Sequence, residues 1–284
     1  MALEKTYDII ASARAHNTAV FSVICIDYNT IAGVIRSAEE TQTPVLVQFL
    51  PEHDHIYHAM NLEGVAAVTK ELAAKVKVPI GLHLDHCYSY EEIRRAADCG
   101  YLSVMYDGSM FPFDENIEKT KTIADEMHAR GIMVEGEIGH VGWAAEGSDS
   151  NEDLYTDPKA AARFAEASGV DLLAIAIGNA HGFYTGTPHL DIDRLDQIRE
   201  ATNGLPLVLH GGSGIPDDQL EVAFAHGINK FNYGTNYLWD YYRTVEAFVK
   251  RHEGEAYTNI LDIPVEAVDR LTAHMKDRYR LCRF

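Results

Sequence analysis

Three short apolar runs of this chain each end at a histidine. They read GLHLDHC at 81–87, LLAIAIGNAHG at 172–182 and LPLVLHGGSG at 205–214. Apolar runs of this length, followed by turn residues or a helical pattern, are typical of strands in a buried parallel sheet. Because the carboxyl ends of parallel strands meet at one edge, the sequence predicts that His86, His181 and His210 converge there.

Strand and helix patterns alternate along the whole chain. This alternation favours an α/β fold, a single (β/α)8 TIM barrel over residues 1–284 with extra C-terminal helices, rather than a doubly wound sheet. A chain of 284 residues without a linker-like stretch suits one barrel. The predicted strands are Val20–Ile26, Val45–Phe49, Ile80–Leu84, Leu102–Tyr106, Met133–Glu137, Leu172–Ile177, Leu207–His210 and Lys230–Tyr233. The predicted helices are Asn61–Lys75, Tyr90–Cys99, Glu115–Arg130, Lys159–Ser168, Ile192–Ala201, Gln219–His226, Tyr237–His252 and Val265–Tyr279.

Composition restricts the partners and the compartment. The formal net charge of −19 argues against nucleic acid and anionic membranes as partners. No apolar stretch approaches the roughly 20 residues needed to span a bilayer, and no basic start with an apolar core indicates a secretory signal. The four cysteines lack CxxC spacing, which suits reduced thiols. We therefore expect a cytoplasmic protein.

The three strand-end histidines predict a metal centre. Three neutral imidazoles on rigid strand ends match a catalytic zinc site that keeps a fourth position open. Side chains alternate along a strand, so Asp85 and His86 are expected on different sides, one at the metal and one facing substrate. An alternative is that Asp85 caps the helix that starts after it. We expect His83 to make a structural hydrogen bond.

Carboxylates also stand at predicted strand ends. Asp107 follows SVMY, and Glu135 and Glu137 lie in MVEGEIG. Asp107 and Glu137 could orient the histidine rings or offer a second resting place for the cation, although Asp107 could also merely cap a turn. Glu135 lies deeper and is expected to be a buried structural carboxylate.

Two glycine-rich segments predict a phosphate site. HGGSG at 210–214 and KFNYGTN at 230–236 follow the last two predicted strands. Glycines allow backbone N–H groups to approach an anion, and the loops after the last two strands of a barrel often hold phosphate. Simple turns are the alternative. The long loop Gly139–Pro158 could act as a lid that carries a catalytic proton on Glu146.

These motifs, in this order, resemble the class II, zinc-dependent ketose-bisphosphate aldolases over nearly the whole chain. The resemblance implies a (β/α)8 barrel in a homodimer or homotetramer, acting on a phosphorylated sugar. It implies zinc on His86, His181 and His210, with Asp107 and Glu137 at an alternative metal position, and Asp85 handling the proton of the C4 hydroxyl. It further implies a monovalent cation, Na+ or K+, near Gly182 and Gly211. The dihydroxyacetone-phosphate end would be held by Gly182, Gly211, Ser213, Asn232, Gly234 and Thr235.

The chain departs from that family at the far end of the substrate. Leu50 stands where the family commonly has serine, and the segment Tyr257–Leu261 lacks the usual arginine; those two residues normally grip the second phosphate. The loop reads Gly142-Trp143-Ala144-Ala145-Glu146 in place of Gly-Gly-x-Glu, and Ser22 replaces an asparagine. The resemblance thus implies retained cleavage chemistry with an altered second-phosphate pocket.

The sequence therefore predicts a zinc-dependent aldolase. It would reversibly cleave a ketose 1-phosphate or ketose bisphosphate into dihydroxyacetone phosphate and an aldehyde. Two alternatives stay open: a metal-dependent barrel hydrolase of a phosphorylated small molecule, and a catalytically silent barrel scaffold. Lys230 is the lysine that could support Schiff-base chemistry, which three histidines make unnecessary.

Overall fold

The computed structural model describes residues 3–139 and 155–284. Eight strands close into a barrel in sequence order, and every neighbouring pair is parallel, including β1 with β8. The predicted TIM barrel is confirmed. The strands are β1 Val20–Ile24, β2 Val45–Phe49, β3 Ile80–Cys87, β4 Ser103–Tyr106, β5 Met133–Glu137, β6 Leu172–Ile175, β7 Leu207–Leu209 and β8 Ile228–Tyr233.

Helices surround this barrel and extend it at both ends of the chain. α1 precedes the first strand, and α11 packs against α2 and α10. None of the helices in the described ranges is long and apolar enough to cross a membrane. The helices are α1 Thr6–Ala15, α2 Tyr28–Thr41, α3 Pro51–Tyr57, α4 Leu62–Ala73, α5 Tyr90–Asp98, α6 Phe113–Ala129, α7 Pro158–Ser168, α8 Ile192–Ala201, α9 Asp217–Ala225, α10 Thr235–Arg251 and α11 Asp262–Tyr279.

Helix α1 covers the amino-terminal end of the barrel. Its buried Ile9 and Ile10 join an apolar cluster with barrel residues. Burying side chains of this size stabilises the fold by roughly 1.5–3 kcal/mol each. The barrel residues in this cluster are Val20, Leu46, Met133, Leu172, Ala174 and Val208. This packing closes the interior of the barrel at its amino-terminal end.

An aromatic cluster joins the barrel to the C-terminal helix. The ring of Phe21 on β1 lies 5.0 Å from that of Phe231 on β8 and 5.6 Å from that of Tyr279 on α11, in edge-on geometry. Tyr279 is fully buried. Each such aromatic pair stabilises the fold by about 0.5–1.5 kcal/mol beyond the contribution of its buried surface area. Helix α11 is thus part of the core, and it steadies the two strands, β1 and β8, that close the barrel.

Candidate active site

A cavity of about 230 Å3 opens at the carboxyl ends of the strands. His86 and His181 line it, and the fully buried His210 lies directly behind them. The cavity is also lined by Asp85, Asp107, Glu137, Gly182, Gly211, Ser213, Asn232, Gly234 and Thr235. The structure therefore gathers the site residues predicted within the described ranges. Glu146 lies outside the described residues.

The three histidines present their rings to one another. Nε2 of His86 lies 2.9 Å from Nδ1 of His210, and the ring of His181 lies 5.0 Å and 5.8 Å from the rings of His86 and His210. One nitrogen from each ring falls within 4.8 Å of the others. Three imidazole nitrogens at such spacing form a donor set suited to zinc.

Buried carboxylates fix the rotation of two of these rings. Nδ1 of His86 lies 2.8 Å from Oδ2 of Asp107, and Nε2 of His210 lies 2.8 Å from Oε1 of Glu135. Asp107 is itself held by the backbone N–H and the hydroxyl of Ser109. His86 therefore presents Nε2 to the shared space, whereas His210 presents Nδ1. Carboxylate partners of this kind orient metal-binding histidines.

An irregularity in β3 brings Asp85 and His86 to the same cavity. Regular alternation would place them on different sides, but the register with β4 shifts between Leu84 and Cys87, and His86 has a φ of +39°. Both side chains line the cavity, with Oδ2 of Asp85 3.9 Å from Nε2 of His86. The expectation of opposite sides is wrong because the backbone departs from a regular strand there.

Two amides anchor the carboxylate of Asp85. Gln48 on β2 donates to Oδ2 at 2.5 Å, and Asn232 on β8 donates to Oδ1 at 3.1 Å. The side-chain oxygen of Asn232 accepts from Nζ of Lys230 at 2.7 Å. Asn232, predicted at the phosphate, does line the cavity, but its side chain is engaged with Asp85 and Lys230. Asp85 caps no helix; Ser89 is the N-cap of α5.

The site carries an excess of buried negative charge. Asp85, Asp107, Glu135 and Glu137 are almost fully buried, and Lys230 is the buried lysine among them. Burial works against a charged His86, but the carboxylate of Asp85 and the hydrogen bond to Asp107 outweigh it and raise the pKa of His86 to about 10. An environment that favours a positive charge at this point also favours a metal cation.

The charged groups around Asp85 keep it ionised. Burial alone would raise its pKa, but the charge of His86 and the hydrogen bond with His83, followed by His210 and Lys230, hold the pKa of Asp85 well below its usual range. The pKa of the buried Glu135 falls to about 2, because Lys230 and His210 outweigh its desolvation. Both carboxylates are therefore anions at neutral pH.

The opposite wall of the cavity is formed by the amino end of α10 and by glycine-rich loops. Gly234 precedes α10, and Thr235 is the first residue of that helix, whose amino end faces the cavity. Helix amino termini attract anions through their unsatisfied N–H groups. Gly211 has a φ of +63°, and a Cβ there would overlap the carbonyl of Ala180. Glycine is therefore required where this loop passes close to the segment that carries His181.

Gln48 was not assigned a role from the sequence, and Glu135 has a role beyond the expected one. Gln48 is a polar residue within the apolar strand VLVQF, which is the signal that could have identified it. Glu135 is buried as expected, yet it also fixes the ring of His210. His83 makes the expected structural hydrogen bond, to Ser103 at 2.8 Å. The far side of the cavity is lined by Leu50, Glu52, His53 and Tyr88.

The class II fructose-bisphosphate aldolase family model matches residues 4–283. The chain belongs to this family. The YdjI aldolase of Escherichia coli K12 is 32% identical, with a TM-score of 0.86 over 99% of this chain and 97% of that chain. A protein of Coccidioides immitis described as a putative fructose-1,6-biphosphate aldolase is 27% identical, with a TM-score of 0.85 over 98% and 96%. A fructose-bisphosphate aldolase of Campylobacter jejuni, 20% identical over 98% and 93%, shares the fold with a TM-score of 0.81. The chain is thus an aldolase, a carbon–carbon lyase.

Proposed function

We propose that this protein is a zinc-dependent aldolase that reversibly cleaves a ketose 1-phosphate into dihydroxyacetone phosphate and an aldehyde. One observation carries the proposal: the anchored carboxylate of Asp85 lies 3.9 Å from Nε2 of His86, within a group of three converging histidines. A proton acceptor thus lies beside a candidate cation site, as metal-assisted carbon–carbon cleavage requires.

His86, His181 and His210 would hold the zinc. Their nitrogens lie within 4.8 Å of one another, and the surrounding carboxylates give the site an excess of negative charge that a divalent cation balances. Zinc supplies Lewis acidity toward a carbonyl oxygen when it is bound. Asp107 and Glu137 form a second possible ligand group with His86, which supports the predicted alternative metal position.

Asp85 would move the proton of the reaction. In cleavage, its carboxylate takes the proton of the C4 hydroxyl while the C3–C4 bond breaks, and C4 leaves as the aldehyde. The bonding electron pair stays on C3 as the enediolate of dihydroxyacetone phosphate, and C3 then takes a proton from water or a loop carboxylate. In condensation the same group returns the proton. The low pKa of Asp85 keeps it ready to accept, and Gln48 and Asn232 hold it in one orientation. A positioned group of this kind contributes about 10²–10⁴-fold to the rate.

The phosphate at C1 would bind at the amino end of α10. Ser213 and Thr235 line the cavity there, together with the glycines of the loops that follow β7 and β8. Oγ of Ser213 already accepts from the N–H of Asn236 at 3.3 Å, which leaves its own hydroxyl proton for an anion. With the phosphate there, the sugar carbons extend toward Asp85.

The far end of the substrate would be uncharged. No lysine or arginine is among the described residues that line the cavity. Leu50 offers an apolar surface, Glu52 is an acid, and burial lowers the pKa of His53 below its usual value. A second phosphate would meet these groups without an ionic partner, which is costly for a desolvated dianion.

Other features of the enzyme stay predictions from the sequence. A homodimer or homotetramer, a monovalent cation near Gly182 and Gly211, one domain over 1–284 and a cytoplasmic location all belong to this group. The alternative of Schiff-base chemistry is disfavoured, since Nζ of Lys230 lies 2.8 Å from Oε2 of Glu135 and donates to Asn232. A lysine whose Nζ is engaged with a carboxylate and an amide oxygen is a poor nucleophile.

The test combines metal analysis with product analysis. We expect one zinc per chain, loss of turnover after chelation and recovery with Zn2+. A ketose 1-phosphate should release dihydroxyacetone phosphate, detected with a coupled dehydrogenase, and it should release no inorganic phosphate that carries oxygen from labelled water. Release of inorganic phosphate with label from water would instead identify a hydrolase. Zinc-loaded protein inactive toward every ketose phosphate tested would favour the scaffold alternative.

A further inference from the structure

A second cavity lies at the other end of the barrel. It has a volume of about 400 Å3 and is formed by the end of α1 and the loops that precede β1, β7 and β8. These segments are at the amino ends of the strands, so the cavity is separated from the candidate active site by the length of the barrel. Its size is within the range of pockets that hold small metabolites.

Two arginines line this cavity, and their charges are not neutralised. Arg14 and Arg199 have no carboxylate of a described residue within ion-pairing distance, a property that they share with Arg243; each of the other arginines has such a partner. In a chain of net charge −19, two such arginines at one cavity concentrate positive potential. None of the ten residues that line it is acidic.

A hydrogen bond positions Arg14 at this cavity, and packing against Gly227 positions the stem of Arg199. Arg14 donates to the carbonyl oxygen of Gly204 at 2.8 Å, which ties α1 to the loop before β7. The side chain of Arg199 lies over Gly227, where an added Cβ would come within 2.7 Å of its Cδ. A side chain at position 227 would therefore collide with Arg199, and glycine leaves room for the arginine along the wall of the cavity. Neutral donors and apolar surface complete the cavity through Asn17, Asn229, Leu205 and Phe224.

We propose that this cavity binds a small phosphorylated metabolite, distinct from the substrate bound at the mouth of the barrel. Arginine forks match the oxygens of a phosphate through paired, charge-assisted hydrogen bonds. The cavity is larger than a phosphate ion, so Leu205 and Phe224 would contact the organic part of the ligand. Because its residues take no part in the cleavage chemistry, the site can exist whether or not the proposed function is correct.

Equilibrium dialysis against labelled inorganic phosphate at low ionic strength tests this site. The wild-type protein should bind two phosphates per chain, and Ser213→Ala should weaken the one at the mouth. Arg14→Gln and Arg199→Gln should each raise the Kd of the other phosphate about tenfold, the loss expected for one charge-assisted hydrogen bond. Arg243→Gln is the matched control, because it removes an arginine without a described carboxylate partner elsewhere, and it should change neither Kd.

Two outcomes would overturn the proposal. One is a double variant, Arg14→Gln with Arg199→Gln, that binds as many phosphates as the wild type with the same Kd. The other is a wild-type protein with a single phosphate site that Ser213→Ala removes. Melting temperatures without phosphate should match among the wild type and the three single arginine variants, since those arginine side chains are exposed. Binding is measured without turnover, so an inactive enzyme would leave this test intact.

Discussion

Nε2 of His86 lies 2.9 Å from Nδ1 of His210, across 124 residues of sequence. His86 presents Nε2 to this contact because its Nδ1 is hydrogen-bonded to Asp107. His210 presents Nδ1 because its Nε2 is hydrogen-bonded to Glu135. This pairing places two possible ligand nitrogens in one small space.

Removing any one of the three histidines should remove the metal. His86→Ala, His181→Ala and His210→Ala should each lose zinc and nearly all activity, because two imidazoles leave a tetrahedral site incomplete. Metal content per chain and turnover with added Zn2+ are the measurements. His226→Ala, at an exposed histidine paired with Asp196, is the control. Stoichiometric zinc in a His86→Ala/His210→Ala double variant would rule out the assignment.

Asp85→Ala should keep zinc and lose turnover by about 10²-fold or more, the scale of a positioned acid–base group. Asn232→Ala should lower kcat less, since Gln48 would still hold the carboxylate. The zinc content, measured together with kcat, distinguishes an acid–base role of Asp85 from a role as a metal ligand. If Asp85→Ala lost its metal together with its activity, Asp85 would be a ligand or a support for one.

A ketose with phosphate at C1 alone should be a better substrate than fructose 1,6-bisphosphate. The second phosphate would meet Leu50 and Glu52 without an arginine, and the loss of one charge-assisted bond is worth about 1.5–3 kcal/mol, about tenfold or more in kcat/KM. Glu52→Gln removes the repulsion between this acid and the second phosphate, so it should reduce the difference in kcat/KM between the two substrates. Glu91→Gln on α5 is a control with the same change in charge. The idea fails if a 1,6-bisphosphate is cleaved at least as efficiently as every 1-phosphate tested.

Lys230→Met should destabilise the fold by about 3–5 kcal/mol, the cost of leaving a buried charge without its partner. Lys230 and Glu135 are both fully buried, with Nζ and Oε2 2.8 Å apart. Urea unfolding of metal-free protein measures the effect. A double variant that also carries Glu135→Gln should recover part of the loss. Equal free energies of unfolding for the wild type and Lys230→Met would contradict this account.

The stability of the protein should fall as the pH drops from about 7 toward 5, in part through His274. Burial lowers the pKa of His274 below the usual value of about 6.5, against its hydrogen bond to Asp240. Between the folded and unfolded pKa values, the unfolded chain therefore binds a proton that the folded protein does not, so stability rises with pH there. His274→Gln should flatten this dependence of the melting temperature.

The barrel could be predicted from the sequence because its buried strands are short apolar runs separated by turn residues. β2 and β5 have the predicted bounds, and the other strands lie within a few residues of them. Helix α2 was not predicted, although Asp27 and Thr30 form a capping box at its start. Helix α1 was not predicted either. Its sequence pattern alone does not indicate that the helix packs across the end of the barrel.

The finer arrangement of the site could not be predicted because it depends on contacts between distant strands. Asn232 lies in a glycine-rich segment typical of phosphate sites, and only the fold shows that its amide is directed to Asp85. Glu135 meets His210 across 75 residues. The shared orientation of Asp85 and His86 depends on one shift in register, which no residue pattern indicates.

The positive φ of His86 has a consequence for how this protein trades stability against activity. A residue with a Cβ in that conformation destabilises the fold by on the order of 1 kcal/mol compared with glycine, and His86 adopts it beside the buried carboxylates of Asp85 and Asp107. Selection for a durable fold alone would favour glycine or asparagine there. Under the proposed function, the strain at His86 is stability that the protein gives up in order to place a zinc ligand at the cavity.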